Sequence, residues 1–294
     1  MRSSVPHTVD HTPDRVSEKA ESFFSRLWRT YDESGVRDRA PLAIAIVSVL
    51  FQQFPQWVQS ADKVALYGPL LLELFAVGIL VSAVLAASAR TSRVAVAIFI
   101  APAIFVILPG WTAIANHTWL ALWTIPVAVL FREWWKSDLY SFYLRATLGI
   151  VMIAAFSQKI LAGTYLNGFY IGYLGANGAT TERMFSFLCS GDPTGPCVFN
   201  QMIGIFILAW QLIVGVLLLL GLNSLIFLAI EIGFLLGAGV FADEMNFQVL
   251  NIALLCIVFR FGMPLWLAAL SIALLVIHLF SISALVDLVL SHAG

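Results

Sequence analysis

From residue 40 onward the chain alternates long apolar runs with short polar breaks. The runs fall at 40–58, 64–89, 94–115, 118–131, 142–162, 202–222, 224–242, 247–259 and 264–290. Most approach the ~20 residues that carry a helix across a bilayer, so the pattern predicts about nine transmembrane helices. The runs 118–131 and 247–259 sit at the lower limit for a hydrocarbon core of ~30 Å. Either can be tilted or re-entrant, which makes the count nine or fewer. A membrane β-barrel would need segments of ~10 residues that alternate polar and apolar. The stretch "LIVGVLLLLGL" at 212–222 does not alternate. The expected fold is all-α, a polytopic transmembrane helical bundle.

Residues 1–39 are a different kind of sequence. They are polar, contain Pro6 and Pro13, and lack the apolar core of a cleavable signal peptide. Within them "VSEKAESFFSRLWRTYDESG" gathers Phe23, Phe24, Leu27 and Trp28, flanked by Lys19, Arg26 and Arg29. That pattern fits a helix lying on the membrane surface; a polar tail with a few aromatics is the plainer alternative. The expected division is a cytoplasmic tail at 1–39 and a bundle at 40–290, with an extracytoplasmic loop at 163–201.

Composition agrees with the pattern. Of 294 residues 60% are hydrophobic and 11% charged, where a soluble domain carries about 25% charged. A net charge of −1 gives no field for nucleic acid. With the N-terminus in the cytoplasm, Arg37, Arg39, Arg90, Arg93, Arg132, Lys136, Arg145 and Arg260 fall on the cytoplasmic side. Only Lys63, Lys159 and Arg183 fall outside, as the positive-inside rule requires. The expected location is a plasma (inner) membrane, multi-pass. The same orientation places "LCSGDPTGPCVF" outside, where Cys189 and Cys197 can close a disulfide. No metal site is expected: the loop holds no histidine and the five histidines of the chain are scattered.

Ionisable residues inside apolar segments are functional candidates by default, because charge is costly in lipid. Here they are Glu73, Lys159, Glu231, His278 and Asp287. At ~1.5 Å per residue, Glu73 falls roughly 12–14 Å into its segment and Lys159 about 5 Å from the outer end of its own. Glu231 enters from the other side and lies too far down to meet Lys159. The outer partners open to Lys159 are Glu73, Asp243, Glu244, Asp62 and Asp287. Its plainest alternative is to snorkel to the outer headgroups. A carboxylate as deep as Glu73 has to be protonated, paired or facing a water-filled cavity: it either pairs with Lys159 or bonds Gln52, Gln53 or Gln211 as structure, or it belongs to a functional site. Gly233 and Gly237 give a small-xxx-small face, read as helix packing. Phosphate-cradling loops, dinucleotide fingerprints and HExxH are all missing.

The stretch "FSQKILAGTYLNGFYIGYL" at 156–174 resembles a motif of the HTTM family, the membrane part shared with vitamin K-dependent γ-carboxylase. That family's small-rich helix ends in Lys and is followed by an aromatic, Leu, a variable residue and Gly. The matching positions are Lys159, Tyr165, Leu166 and Gly168. DoxX-like membrane proteins are the neighbouring match, and the likeness runs over about 140–259. The resemblance implies Lys159 as a base toward a reduced quinone-like cofactor; Glu73, outside the likeness, is the residue that would assist it in an enzyme. It implies Gln158, Tyr165, Gly168 and Glu231 as binding residues for a quinone or lipid. No counterpart of that family's extracytoplasmic carboxylase portion follows the last apolar run.

Three functions are therefore weighed. The first is a noncatalytic lipid- or quinone-binding accessory subunit, whose partners are membrane lipids and other membrane subunits. The second is a membrane enzyme using a quinol-like cofactor with Lys159 as base. The third is a proton-coupled transporter through Glu73 and Glu231.

Overall fold

The computed structural model describes residues 23–88, 90–107, 116–177, 189, 197–242 and 244–279. Among them the secondary structure is entirely helical. The helices are α1 (Phe23–Glu33), α2 (Val36–Gln59), α3 (Ala61–Tyr67), α4 (Pro69–Ala86), α5 (Ser92–Pro102) and α6 (Asn116–Thr124). They continue as α7 (Asp138–Ala162), α8 (Phe169–Asn177), α9 (Val198–Leu219), α10 (Leu225–Ala242), α11 (Met245–Val258) and α12 (Leu265–Leu279). Four of these, α4, α7, α9 and α10, are long and apolar enough to cross a membrane, and α2 with α3 makes a fifth if the bent pair is one span. Shorter apolar helices lie at Ser92–Ile107, Thr118–Leu130, Met245–Val258 and Leu265–Leu279. Expected stretches at 108–115 and 280–290, and the residues Asp243 and Asp287, lie outside the described residues.

The bundle is built around α11. All its residues but Phe247 are buried, and α2, α7, α10 and α12 pack against it. This explains the short run at 247–259. Fourteen residues give about 21 Å of helix, less than a bilayer core, but this helix is wrapped by protein and does not itself have to meet lipid. The outer helices carry the lipid-like surface: Leu70, Leu74, Val77, Leu80 and Val84 form an exposed stripe along α4 at the i, i+3, i+4 spacing of one helix face.

One end of the bundle is rich in arginine. Arg39 is buried and donates from Nε to the Ala87 carbonyl at 2.8 Å and from Nη2 to the Ser34 carbonyl at 2.9 Å. Its guanidinium also lies 5.3 Å from the Trp135 ring. Arg37 donates to the Gly262 carbonyl and Tyr31 to the Met263 carbonyl, tying α1 and the start of α2 to the 259–264 turn. Arg260 pairs with Asp138 there. Phe23, Leu27 and Trp28 of α1 are exposed, as the surface-helix pattern requires.

Two expectations are corrected. The run at 64–89 is not one helix. It breaks at Gly68, where φ is 72° and Pro69 starts α4, and α3 turns 96° from α2. None of the residues of α3 is buried; it lies against the far end of α5. There Lys63 donates to the Val106 carbonyl at 2.9 Å and Tyr67 donates to the Phe105 carbonyl. Those carbonyls belong to the π-helical turn Ala103–Ile107 that follows Pro102. The second correction concerns Gly233 and Gly237: they face away from the bundle, and a Cβ on either would meet nothing within 4 Å. The close helix crossing is instead Gly149 of α7 against Gly215 of α9. A Cβ on Gly149 would stand 2.8 Å from Leu219 Cγ, and one on Gly215 2.8 Å from Ile153 Cγ1.

Candidate functional site

Lys159 occupies the last turn of α7, the end opposite the arginines. The helix stops four residues later because Gly163 adopts φ 72° and returns its N–H to the Lys159 and Ile160 carbonyls. The chain then forms a tight loop to Gly168, whose φ of 75° lies in the left-handed region. A Cβ there would also stand 2.9 Å from Asn200 Cβ and 2.8 Å from the Gln201 nitrogen. Glycine is thus required twice at Gly168, by conformation and by space. The next contact repeats the theme: the Tyr165 carbonyl rests on Gly204, where a side chain would collide with it.

This docking fixes Tyr165. Its ring stacks on Tyr170 with centroids 4.6 Å apart and planes 25° from parallel. Lys159 Nζ lies 4.8 Å from the Tyr165 ring centroid. A cation in that place is attracted by the negative ring face. Around the pair, Tyr165, Ile171 and Leu208 form a small apolar cluster of their own, separate from the main core, with Phe156, Ile203, Ile207 and Phe241 against it. Glu244, between α10 and α11, is the carboxylate whose field reaches Lys159. The surrounding protein pushes the Glu244 carboxyl above its ordinary range, and the Lys159 charge pulls it back down.

The loop platform is held from outside by a disulfide. Cys189 and Cys197 are bonded, with Cα atoms 6.0 Å apart. Cys197 immediately precedes α9, and Cys189 Sγ lies 3.5 Å from Oδ1 of the buried Asn200. The bond therefore anchors the helix start on which Gly168 docks.

The other expected residues go elsewhere. Glu73 lies on the exposed stripe of α4, and α4 packs mainly on α2 and α5, whereas α7 packs on α9 and α11. The expected Glu73–Lys159 pair does not form. The cause is the break at Gly68: Glu73 is four residues past the start of α4, ~6 Å in, and on the outward face. Gln158 is exposed and does not join the cluster. Gln52 and Gln53 are spent on the bundle's inside, Gln52 accepting from Asn246 at 3.0 Å and Gln53 donating to Thr118 at 2.6 Å. Gln52, Asn246 and Thr118, with Ser48, Val49 and Leu250, line a crevice too tight for a water molecule.

Glu231 is buried, and Trp210 Nε1 donates to its Oε2 at 2.7 Å. Trp210 also packs on Phe206 and Phe234, at 6.2 and 5.6 Å between centroids. This aromatic–carboxyl cluster joins α9 to α10 below the tyrosine pair. Trp210 was missed from sequence as its partner, as were Tyr170, Gly204, Asn246 and Asn251. The signal for Tyr170 was available in its neighbours, since "YLNGFY" places two tyrosines either side of a glycine turn. Among the described residues no three His, Cys, Asp or Glu side chains gather as a metal site would need.

Set against known proteins, the chain matches no family model, no curated protein and no solved structure.

Proposed function

We propose that this protein is a nine-span protein of the plasma (inner) membrane with its N-terminus in the cytoplasm, of the HTTM and DoxX-like kind. On this reading it is a noncatalytic accessory subunit that holds the headgroup of a quinone or lipid at its outer face. The observation that carries the proposal is the seat of Lys159: an amine 4.8 Å over Tyr165, which is itself stacked on Tyr170. A flat ring lies well against stacked tyrosines, and its carbonyl oxygens accept from the ammonium. The apolar cluster of Phe156, Ile203, Ile207 and Phe241 suits the first carbons of an isoprenoid or acyl tail. The bundle end gathering Arg37, Arg39 and Arg260 faces the cytoplasm under the positive-inside rule, which turns the Lys159 end outward.

The enzyme reading needs a neutral amine next to a reacting proton. An amine lodged on a ring face with a carboxylate near it is arranged for binding, so catalysis by Lys159 is the weaker of the two. The transport reading needs one path through Glu73 and Glu231. Glu73 faces outward from α4 while Glu231 is enclosed with Trp210, so no shared path supports it.

Purification in mild detergent followed by solvent extraction and mass spectrometry tests the proposal. The expected result is a quinone or lipid retained near one per protein. A preparation with neither such a ligand nor a co-purifying membrane subunit contradicts it.

A further inference from the structure

At the arginine-rich end, Arg145 is half-buried and has no acceptor among the described residues. It sits on α7, seven residues beyond Asp138. Its guanidinium lies 5.8 Å from the Phe259 ring centroid, and its Nε is buried with no hydrogen-bond partner. Asp138, on the same helix, holds Arg260. A guanidinium at the edge of an apolar bundle without a counter-charge is costly. Arg39 and Arg37, at the same end, meet that cost with backbone carbonyls; Arg145 does not.

The turn that follows α9 lies beside this guanidinium. The close crossing at Gly149 and Gly215 draws the end of α9 against α7. This brings the turn at Gly221, φ 78°, beside the guanidinium: a Cβ there would stand 3.4 Å from Arg145 Nη1. Leu220 and Leu222 of that turn are exposed, an apolar rim next to a cation backed by an aromatic face. We propose that Arg145 binds the phosphate of an anionic phospholipid from the leaflet at this end. A guanidinium matches phosphate oxygens with paired donors. Basic pockets between membrane helices on the cytoplasmic side take such headgroups, and the exposed leucines meet the acyl chains. This site is independent of the one at Lys159 and lies at the other end of α7.

Native mass spectrometry of the purified chain, exchanged into micelles with phosphatidylglycerol or phosphatidylcholine at equal concentration, tests it. Expected is a preference of ~tenfold for the anionic lipid, equivalent to about 1.4 kcal/mol. That preference is lost in Arg145→Gln, partly kept in Arg145→Lys, and unchanged in Arg260→Gln. Millimolar inorganic phosphate should leave the lipid adduct in place; full displacement would assign the site to free phosphate and overturn the lipid. Equal retention of both lipids by the wild-type chain overturns the proposal whether or not the variants fold. So does a preference that survives in Arg145→Gln and disappears in Arg260→Gln.

Discussion

Arg39 and Lys159, at opposite ends of the bundle, are held in opposite ways. At the arginine-rich end Arg39 is buried and spends its guanidinium on the Ala87 and Ser34 carbonyls and on the Trp135 face. At the other end Lys159 rests on Tyr165, and among the described residues no carbonyl or carboxylate is bonded to its nitrogen. A buried side chain bonded to two backbone carbonyls is a fastener. One that rests on an aromatic platform keeps its donors for something else. The proposed ligand site at Lys159 rests on this difference, although both residues look alike to hydropathy, as isolated charges beside apolar runs.

Substitutions at three positions sharpen that comparison. The largest effect is expected from Arg39→Leu. It removes two charge-assisted hydrogen bonds and a ring contact, and it leaves two carbonyls to find water. A loss of ~3 kcal/mol or more follows, read as a fall in the thermal midpoint in detergent. Next is Gly168→Ala, which forces a Cβ into the left-handed region and against Asn200. The cost is about 1–3 kcal/mol, and the Tyr165–Tyr170 stack should loosen, so ligand retention falls with stability. Smallest is Glu231→Leu, which leaves the Trp210 N–H without its acceptor, about 1–3 kcal/mol. Glu231→Gln keeps an acceptor oxygen and should cost under ~1 kcal/mol. Equal losses for the two Glu231 variants would show that Trp210 does not depend on that oxygen.

Much of the architecture was legible because the hydrophobic period reports burial in lipid or protein alike. Each of the nine apolar runs corresponds to a helix or helix pair among the described residues, and the polar 16–35 stretch contains α1. Cys189 and Cys197 were legible as a pair from their polar loop, and Lys159, Tyr165 and Gly168 as one group. What failed did so for physical reasons. The run "KVALYGPLLLEL" stays apolar through its turn, so hydropathy merged α3 with α4; the Gly68–Pro69 pair was the overlooked punctuation. That merger put Glu73 too deep and on the wrong face. Gly233 and Gly237 misled because lipid and protein are equally apolar, so a small-residue stripe does not say which face it lies on. The Trp210–Glu231 bond was invisible because sequence spacing fixes neighbours within a helix and not across two. Gln248 and Asn251, buried in α11, stood inside a run that was read only as short, and the buried Asn246 stood just before it.

The central claim is that Lys159 binds and does not fasten. Its most direct test compares wild type with Lys159→Met for quinone or lipid retained through purification, alongside the thermal midpoint of each. The account predicts a fall of ~tenfold in retained ligand, about 1.4 kcal/mol, with a midpoint close to wild type. Equal retention in both proteins, or a collapse of stability with no selective loss of ligand, would contradict it.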